Sequence, residues 1–298
     1  MRHLTAHLLG GPVHYVDHGG RGPVMLLIHG LGGSTLNWLD TAPGLAARNH
    51  VFAIDLVGFG VTPPAGRKAD LETNLALVDA FLLEVAGEPA MLVGNSMGGL
   101  ISLLEAARSP ERVRGLVLVN PALPTPAGLR IDRLVLPLLA AFLLPRQSER
   151  YLRRRAARLG PERVVREVLE LVDLPEEKMS RSSFEAHLQL TRDRSSMPWA
   201  ERSFVEAARS LLAYLARPRL IRGVLGQVSA PALLIHGHND RVIPMAAARA
   251  IHKVKPQWIF RDLQGVGHVP MLETPDEFVR VVEEWLDETF PDRRERAG

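Results

Sequence analysis

The chain has no cysteine among its 298 residues. Disulfides and thiolate metal sites are therefore excluded, and a reducing compartment is compatible with it. No charge of one sign dominates. Lys and Arg number 36 against 33 Asp and Glu, a formal net charge of +3. That is far from the clustered basic footprint of a nucleic-acid binder, so nucleic acid is not an expected partner. Long apolar runs are also missing. The longest, Leu134 to Pro145, is interrupted by Pro137, and it falls well short of the roughly 20 residues a spanning helix needs. The stretch Met1 to His7 has no apolar core of a secretory signal. The expectation is a cytoplasmic protein that meets a membrane at most peripherally. Internal repeats and low-complexity tracts are absent.

What is present suits one large domain, or a core with an inserted subdomain: 46% hydrophobic and 23% charged residues. Val13–Asp17 alternates weakly and reads as an early strand. Val24–Ile28, Val51–Asp55, Ala90–Val93, Val113–Val119 and Ala232–His236 are short, nearly continuous apolar runs. Strands buried on both faces of a parallel sheet have this composition. Gln257–Asp262 completes the set. Between them lie helical patterns from Trp38 to Arg48, Leu71 to Val85, beyond Ser96, and Met245 to Lys253. Regular alternation with short connections argues for a parallel, doubly wound α/β sheet. A last helix begins at Thr274-Pro275-Asp276-Glu277, with Thr274 as N-cap and Glu277 placed to close a capping box. Residues 292–298 are polar and expected to fray.

The alternation stops at Asn120-Pro121. From 121 to 227 the pattern is helical and arginine-rich, with charges summing to about +7 and Arg153-Arg154-Arg155 as the densest cluster. The expected organisation is a core of residues 1–120 and 228–298, interrupted by a helical cap over 121–227.

Gly94-Asn95-Ser96-Met97-Gly98-Gly99 lies between a strand and a helix. A serine with glycine two before and two after proposes a turn so sharp that Ser96 is strained and side chains at 94 and 98 would collide with their neighbours. A serine hydroxyl needs a base, and the base needs an orienting group. Catalytic groups in an open parallel sheet gather at the C-terminal ends of strands. His268, in Gly265-Val266-Gly267-His268, follows the last strand, and Asp240, in His236-Gly237-His238-Asn239-Asp240, follows the strand before it. Ser96, Asp240 and His268 are the candidate triad. The candidate oxyanion donors are the N–H groups of Met97, next to the serine, and Leu31, in the early turn His29-Gly30-Leu31-Gly32-Gly33.

With the Asp55-x-x-Gly58-x-Gly60 loop, these features occur in an order that resembles the α/β-hydrolase superfamily over most of the chain. The resemblance implies a mostly parallel eight-stranded sheet flanked by helices, an inserted helical lid, and a two-step acyl-enzyme mechanism without a cofactor. A serine at position 96 argues against epoxide hydrolases and haloalkane dehalogenases, which carry aspartate there. The elbow is similar to that of C–C bond hydrolases of aromatic degradation and to that of lipases and monoacylglycerol-lipase-like esterases. Val269 stands where the C–C hydrolases usually have an aromatic residue. The early turn lacks the proline of cofactor-free haloperoxidases. The leading expectation is a serine hydrolase acting on a small-molecule carboxylic ester with a fairly hydrophobic acyl or aromatic group. The alternatives are a C–C bond hydrolase of a vinylogous diketone acid, its carboxylate held by cap arginines, and a hydrolase-like ligand-binding or signalling protein.

Other polar residues have quieter readings. Asp55 is expected to tie its own loop to backbone N–H groups. His29 is expected to hydrogen-bond within the oxyanion turn. No recognised ligand spacing accompanies His236 and His238, so no metal is expected. The competing position for the acid, after the Val113–Val119 strand, holds Asn120 and Pro121. Asn95 either supports the elbow or is merely tolerated. The Leu134–Leu144 run is either a helix packed on the core or an apolar wall that meets substrate or lipid. Arg146, Arg150 and Arg153–Arg155 fit a lid on an anionic surface and equally a solvated face, the latter being favoured.

Overall fold

The computed structural model describes residues 1–124 and 145–291. The Leu134–Leu144 run, the side chain of Arg146 and the 292–298 tail lie outside the described residues. Eight strands form one sheet: β1 (Arg2–Leu8), β2 (Gly11–Gly19), β3 (Val24–Ile28), β4 (His50–Ile54), β5 (Ala90–Asn95), β6 (Val113–Val119), β7 (Ala232–Gly237) and β8 (Ile259–Leu263). Their spatial order is β1-β2-β4-β3-β5-β6-β7-β8. β2 pairs antiparallel with β1 and with β4, and every other pairing is parallel. The described residues contain eleven α-helices: α1 (Ala42–Leu45), α2 (Leu71–Phe81), α3 (Met97–Arg108), α4 (Pro145–Leu159), α5 (Pro161–Leu171), α6 (Arg181–Arg194), α7 (Ala200–Leu215), α8 (Pro218–Gln227), α9 (Met245–Val254), α10 (Pro270–Glu273) and α11 (Pro275–Thr289).

The central strands are apolar throughout because both sheet faces are covered. Side chains alternate between faces with period two. In β3, Leu26 and Ile28 join one buried cluster, while Met25 and Leu27 join the other. In β6, Leu116 and Leu118 face the first cluster, and Val117 and Val119 the second. Helices α2, α3, α8 and α9 cover the first face, through Leu75, Ile101, Ile221 and Ile251 among others. Helix α11 covers the second with Phe278, Val281, Val282, Trp285 and Leu286. Each fully buried Leu, Ile or Phe of this kind contributes about 1.5–3 kcal/mol, so the strand ends that carry polar residues rest on a stiff frame.

Five strands lie where the apolar runs predict them, and β2 and β8 overlap the weaker patterns at Val13–Asp17 and Gln257–Asp262. The eighth, β1, is an edge strand of which only Leu8 is buried. Its place is decided by pairing with β2, a contact that leaves little hydrophobic signature. The helix expected from Trp38 to Arg48 is broken into a 3₁₀ turn, Thr35–Trp38, and the single turn α1, with Pro43 inside it. The turn starts at Ser34, whose side chain takes part in a capping box with Asn37. Thr274 does precede α11, but its side chain makes no cap bond. Its hydroxyl donates instead to the Pro270 carbonyl at 3.4 Å, so the expected capping box with Glu277 does not form. Between β6 and β7 the described residues are helical, and no strand interrupts them. No helix among the described residues is long and apolar enough to cross a membrane.

Candidate active site

Ser96 stands between β5 and α3 with φ 52° and ψ −115°. A non-glycine residue at positive φ is held there by its surroundings. Its N–H donates to the Val119 carbonyl (3.0 Å), and its carbonyl accepts from Leu100 (3.2 Å) and Ala122 (2.9 Å). The flanking glycines are there for space. A Cβ on Gly94 would drive into the Gly98 carbonyl, and one on Gly98 into the Ile28 and His29 carbonyls of the neighbouring strand end. The collisions expected from the spacing are therefore present. Gly30 of the early turn lies against the elbow, since a Cβ there would come 3.0 Å from Ser96 Cβ. Leu31 follows Gly30 in the chain, and Met97, directly after Ser96, opens α3.

Asp240 and His268 meet through Asp240 Oδ2 and His268 Nδ1 at 2.7 Å. Both residues are buried. The other carboxylate oxygen, Oδ1, accepts from the N–H groups of Val242 (2.7 Å) and Ile243 (2.9 Å). Burial opposes the charge on Asp240. Attraction to His268 and its hydrogen bond, attraction to His236 and the Ile243 N–H act the other way, and the carboxyl sits below its ordinary range. His268 is joined to the serine strand by Asn95, whose Nδ2 donates to the His268 carbonyl and to the Val119 carbonyl, each at 3.2 Å. Of the two readings of Asn95, the structure has the support for the elbow.

Asn120 occupies the competing position for the acid, and its amide has a role that the residue type alone does not announce. Its Nδ2 donates to Asp240 Oδ2 at 2.6 Å, and its Oδ1 accepts from the Gly237 N–H at 3.4 Å. Its φ is 44°. Position 120 thus stands beside the acid without being one. An asparagine ending a strand beside the elbow strand was the available clue.

The remaining polar residues fall into place. Asp55 accepts from the N–H groups of Thr35 (2.7 Å) and Val61 (3.0 Å) and bonds His14 Nδ1 at 2.8 Å. His29 Nδ1 lies 2.7 Å from the Gly30 carbonyl, and Nε2 accepts from the Leu56 N–H at 3.0 Å. That pattern defines a neutral imidazole protonated on Nδ1. Burial, the largest influence, keeps its pKa below the ordinary histidine value. His236 Nε2 is bonded to the Ile243 carbonyl (2.9 Å), and His238 Nδ1 contacts Asp262 (3.1 Å), so the two point to different partners.

Three side chains from the segment between β6 and β7 reach the site's approaches. Phe204 of α7 packs on Gly32, where a Cβ would come 3.0 Å from its ring. Arg194, at the end of α6, donates to the Gly32 carbonyl at 3.4 Å. Leu152 of α4 joins Leu31, Phe204, Val205, Ala208 and Leu212 in a small apolar cluster. On α4, Arg150, Arg153 and Arg154 are exposed, while Arg155 pairs with Glu167.

Comparison with known proteins agrees with this architecture. A family model described as alpha/beta hydrolase fold matches residues 23–275. The dihydrolipoyllysine-residue acetyltransferase component of an acetoin cleaving system from Pseudomonas putida is 31% identical over 279 residues, 91% of this chain. This chain spans 66% of that protein's length. A pimeloyl-[acyl-carrier protein] methyl ester esterase from Aeromonas hydrophila is 26% identical over 280 residues, covering 91% of this chain and 98% of the relative. Among solved structures, a bacterial membrane phospholipase A superposes with a TM-score of 0.77 at 28% identity, over 96% of this chain and 86% of the other. With its sheet order, its strained serine turn and a family match over most of its length, the chain belongs to the alpha/beta hydrolase fold family.

Proposed function

We propose that this protein is a serine hydrolase that cleaves a carboxylic ester carrying a fairly hydrophobic acyl or aromatic group. Ser96 Oγ attacks the acyl carbonyl. His268 takes the hydroxyl proton and then delivers it to the leaving alcohol. Asp240 holds the imidazole with its proton on Nδ1 and stabilises the imidazolium that forms. The N–H groups of Leu31 and Met97 stabilise the oxyanion, where loss of one donor typically costs about 3–4 kcal/mol. Water then attacks the acyl-enzyme with His268 again as base, and the acid is released.

The observation that carries this reading is the 2.7 Å contact between His268 Nδ1 and Asp240, in a loop whose carbonyl is held by the neighbour of Ser96. The family, and the esterase among its relatives, supports it. In the same reading, residues 121–227 act as a cap over the core of 1–120 and 228–298. Phe204, Leu152 and Leu212 near Gly32 and Leu31 supply the apolar side of the pocket. The test is a panel of p-nitrophenyl and glyceryl esters of rising acyl length, with a fluorophosphonate probe and Ser96→Ala as control. Equal labelling of wild type and Ser96→Ala would end the nucleophile assignment. Labelling of Ser96 without turnover of any ester, amide or C–C substrate would turn the reading towards a ligand-binding protein.

One observation favours a second reading, hydrolysis of a C–C bond in a vinylogous diketone acid. Arg194 brings a guanidinium to the Gly32 carbonyl, beside the oxyanion turn, where a substrate carboxylate could pair with it. Turnover of such a substrate far above ester turnover would establish it.

A further inference from the structure

His268 is held at more points than its imidazole. Its own N–H donates to the Val172 carbonyl at 2.9 Å. Val172 ends α5, so this bond comes from the segment between β6 and β7 and not from the sheet. The packing there is close: a Cβ on Gly267 would come 2.6 Å from the Val172 carbonyl oxygen and 2.7 Å from that of Asp173. Asp173 has φ 58° and pairs with Arg241, the residue after Asp240, at 2.9 Å.

A second tie runs through a buried carboxylate. Glu273, on α10, has its side chain 1% exposed. Its Oε2 accepts from the Gly267 N–H at 2.6 Å, and its Oε1 accepts from Lys178 Nζ at 2.6 Å. Lys178 belongs to the same turn as Val172 and also donates to the Gly265 carbonyl at 3.3 Å. Glu273 therefore grips the peptide N–H immediately before His268, and Lys178 neutralises the carboxylate that does so. A buried carboxylate deprived of its cation is a costly arrangement, and the loop is the softer partner that gives way. The side-chain hydrogen bonds of Lys178 and Glu273 go to each other, to the Gly265 carbonyl and to the Gly267 N–H, so neither acts on Ser96, Asp240 or the His268 imidazole directly.

We propose that Lys178 and Glu273 are positioning residues for His268, and that the Val172–Lys178 turn thereby forms a fixed part of the catalytic frame and does not move as a lid. The proposal rests on His268 being the base. Small misplacements of a base are costly because proton transfer needs hydrogen-bond geometry. Positioning acts on the chemical step and leaves substrate binding largely alone.

The test is steady-state hydrolysis of two p-nitrophenyl esters, one short and one medium in chain length, by the full chain. Lys178→Met is expected to lower kcat roughly ten- to hundredfold on both esters, with KM changed by less than about twofold. Lys178→Arg, which keeps the charge, is expected to restore most of the loss. Glu273→Gln keeps an acceptor for the Gly267 N–H, and is expected to show the same kcat loss at a smaller size. It decides the matter if Lys178→Met fails to fold. The double variant should lose no more than the worse single one, because the two residues act as one unit. Arg166→Ala, on α5, breaks exposed ion pairs with Glu162 of the same helix and with Glu176 of the Val172–Lys178 segment and should leave kcat unchanged. Folded Lys178→Met and Glu273→Gln variants with wild-type kcat would overturn the proposal, as would a loss confined to KM or matched by Arg166→Ala. His268→Ala separates the two levels. If it is inactive while the Lys178 and Glu273 variants are normal, only the positioning role fails. If it retains activity, the base assignment itself fails, and the proposal with it.

Discussion

The loop bearing Ser96 and the loop bearing His268 are held by different means. The serine turn is held locally. Gly94, Gly98 and the first turn of α3 leave a single sterically allowed path, and the contacts come from adjacent strand ends. The histidine loop is held from a distance. Asn95, Asn120, the Val172–Lys178 segment and Glu273 reach it or its carboxylate partner from four separate places in the chain. Steric exclusion against fixed backbone depends on no partner side chain, so it is robust and shows in a short glycine motif. A network of hydrogen bonds needs every member, and losing one leaves its partners buried and unsatisfied.

The comparison can be broken at four points. The largest effect is expected at the proposed nucleophile and base. Ser96→Ala and His268→Ala should each cut ester kcat by a factor on the order of 10⁴ or more, with an unchanged circular dichroism spectrum; substantial residual turnover by either would remove it from the triad. Next comes the steric wall. Gly98→Ala must move the strand end of Ile28 and should destabilise the fold by at least about 2 kcal/mol, read as a lowered thermal midpoint. A midpoint equal to wild type would show that the turn is not held by space alone.

A smaller effect is expected where a network member is removed. Asn120→Ala takes one donor from Asp240 and leaves Val242, Ile243 and His268 in place. We expect kcat to fall about ten- to hundredfold, in line with the roughly 1.5–3 kcal/mol of a hydrogen bond to a charged group, while KM holds. An effect as large as that of Ser96→Ala would mean that Asn120 takes part in the chemistry.

The smallest effect concerns stability on the serine side. Glu105 lies on α3, fully buried. Burial, then the negative charge of Asp79, pushes its carboxyl up to about 7. A folded-state pKa above the unfolded value of 4.5 makes the folded protein prefer the protonated form. Stability is then highest below about pH 4.5 as far as this group is concerned, declines as pH rises towards 7, and levels off above it. Glu105→Gln should remove that decline and be more stable than wild type at pH 8 by roughly 1–2 kcal/mol, with ester kcat unchanged. Chemical denaturation at pH 5 and pH 8 measures it; parallel pH slopes in the two proteins would contradict the assignment.

Much of the fold was legible because its signals are local. Five of the eight strands, β3 to β7, show as apolar runs, since both faces of the sheet are covered there, while β2 and β8 show only as weaker strand patterns. β1 shows neither, because an edge strand with one buried residue carries no such run. The contacts of Asn120, Lys178 and Glu273 were not legible either. A polar residue at a loop or helix end reads the same whether it faces water or grips a distant loop. Thr274 is the reverse case: its N-cap motif is in the sequence, yet its hydroxyl turns to Pro270 because α10 ends immediately before it.

By itself, the sequence determined the alternation of strands and helices, the glycine-bounded turn at Ser96, and the strand ends on which Asp240 and His268 stand. These follow from side-chain size and period-two burial, which act over a few residues. Only the tertiary structure decided what surrounds them: the Asn120 amide on Asp240, the Val172 carbonyl on His268, and the Lys178–Glu273 pair behind the histidine loop. Those contacts join positions up to 120 residues apart. Their geometry exists only once the sheet has brought the loops to one edge, because hydrogen bonds specify atoms in space and leave no periodicity in the chain.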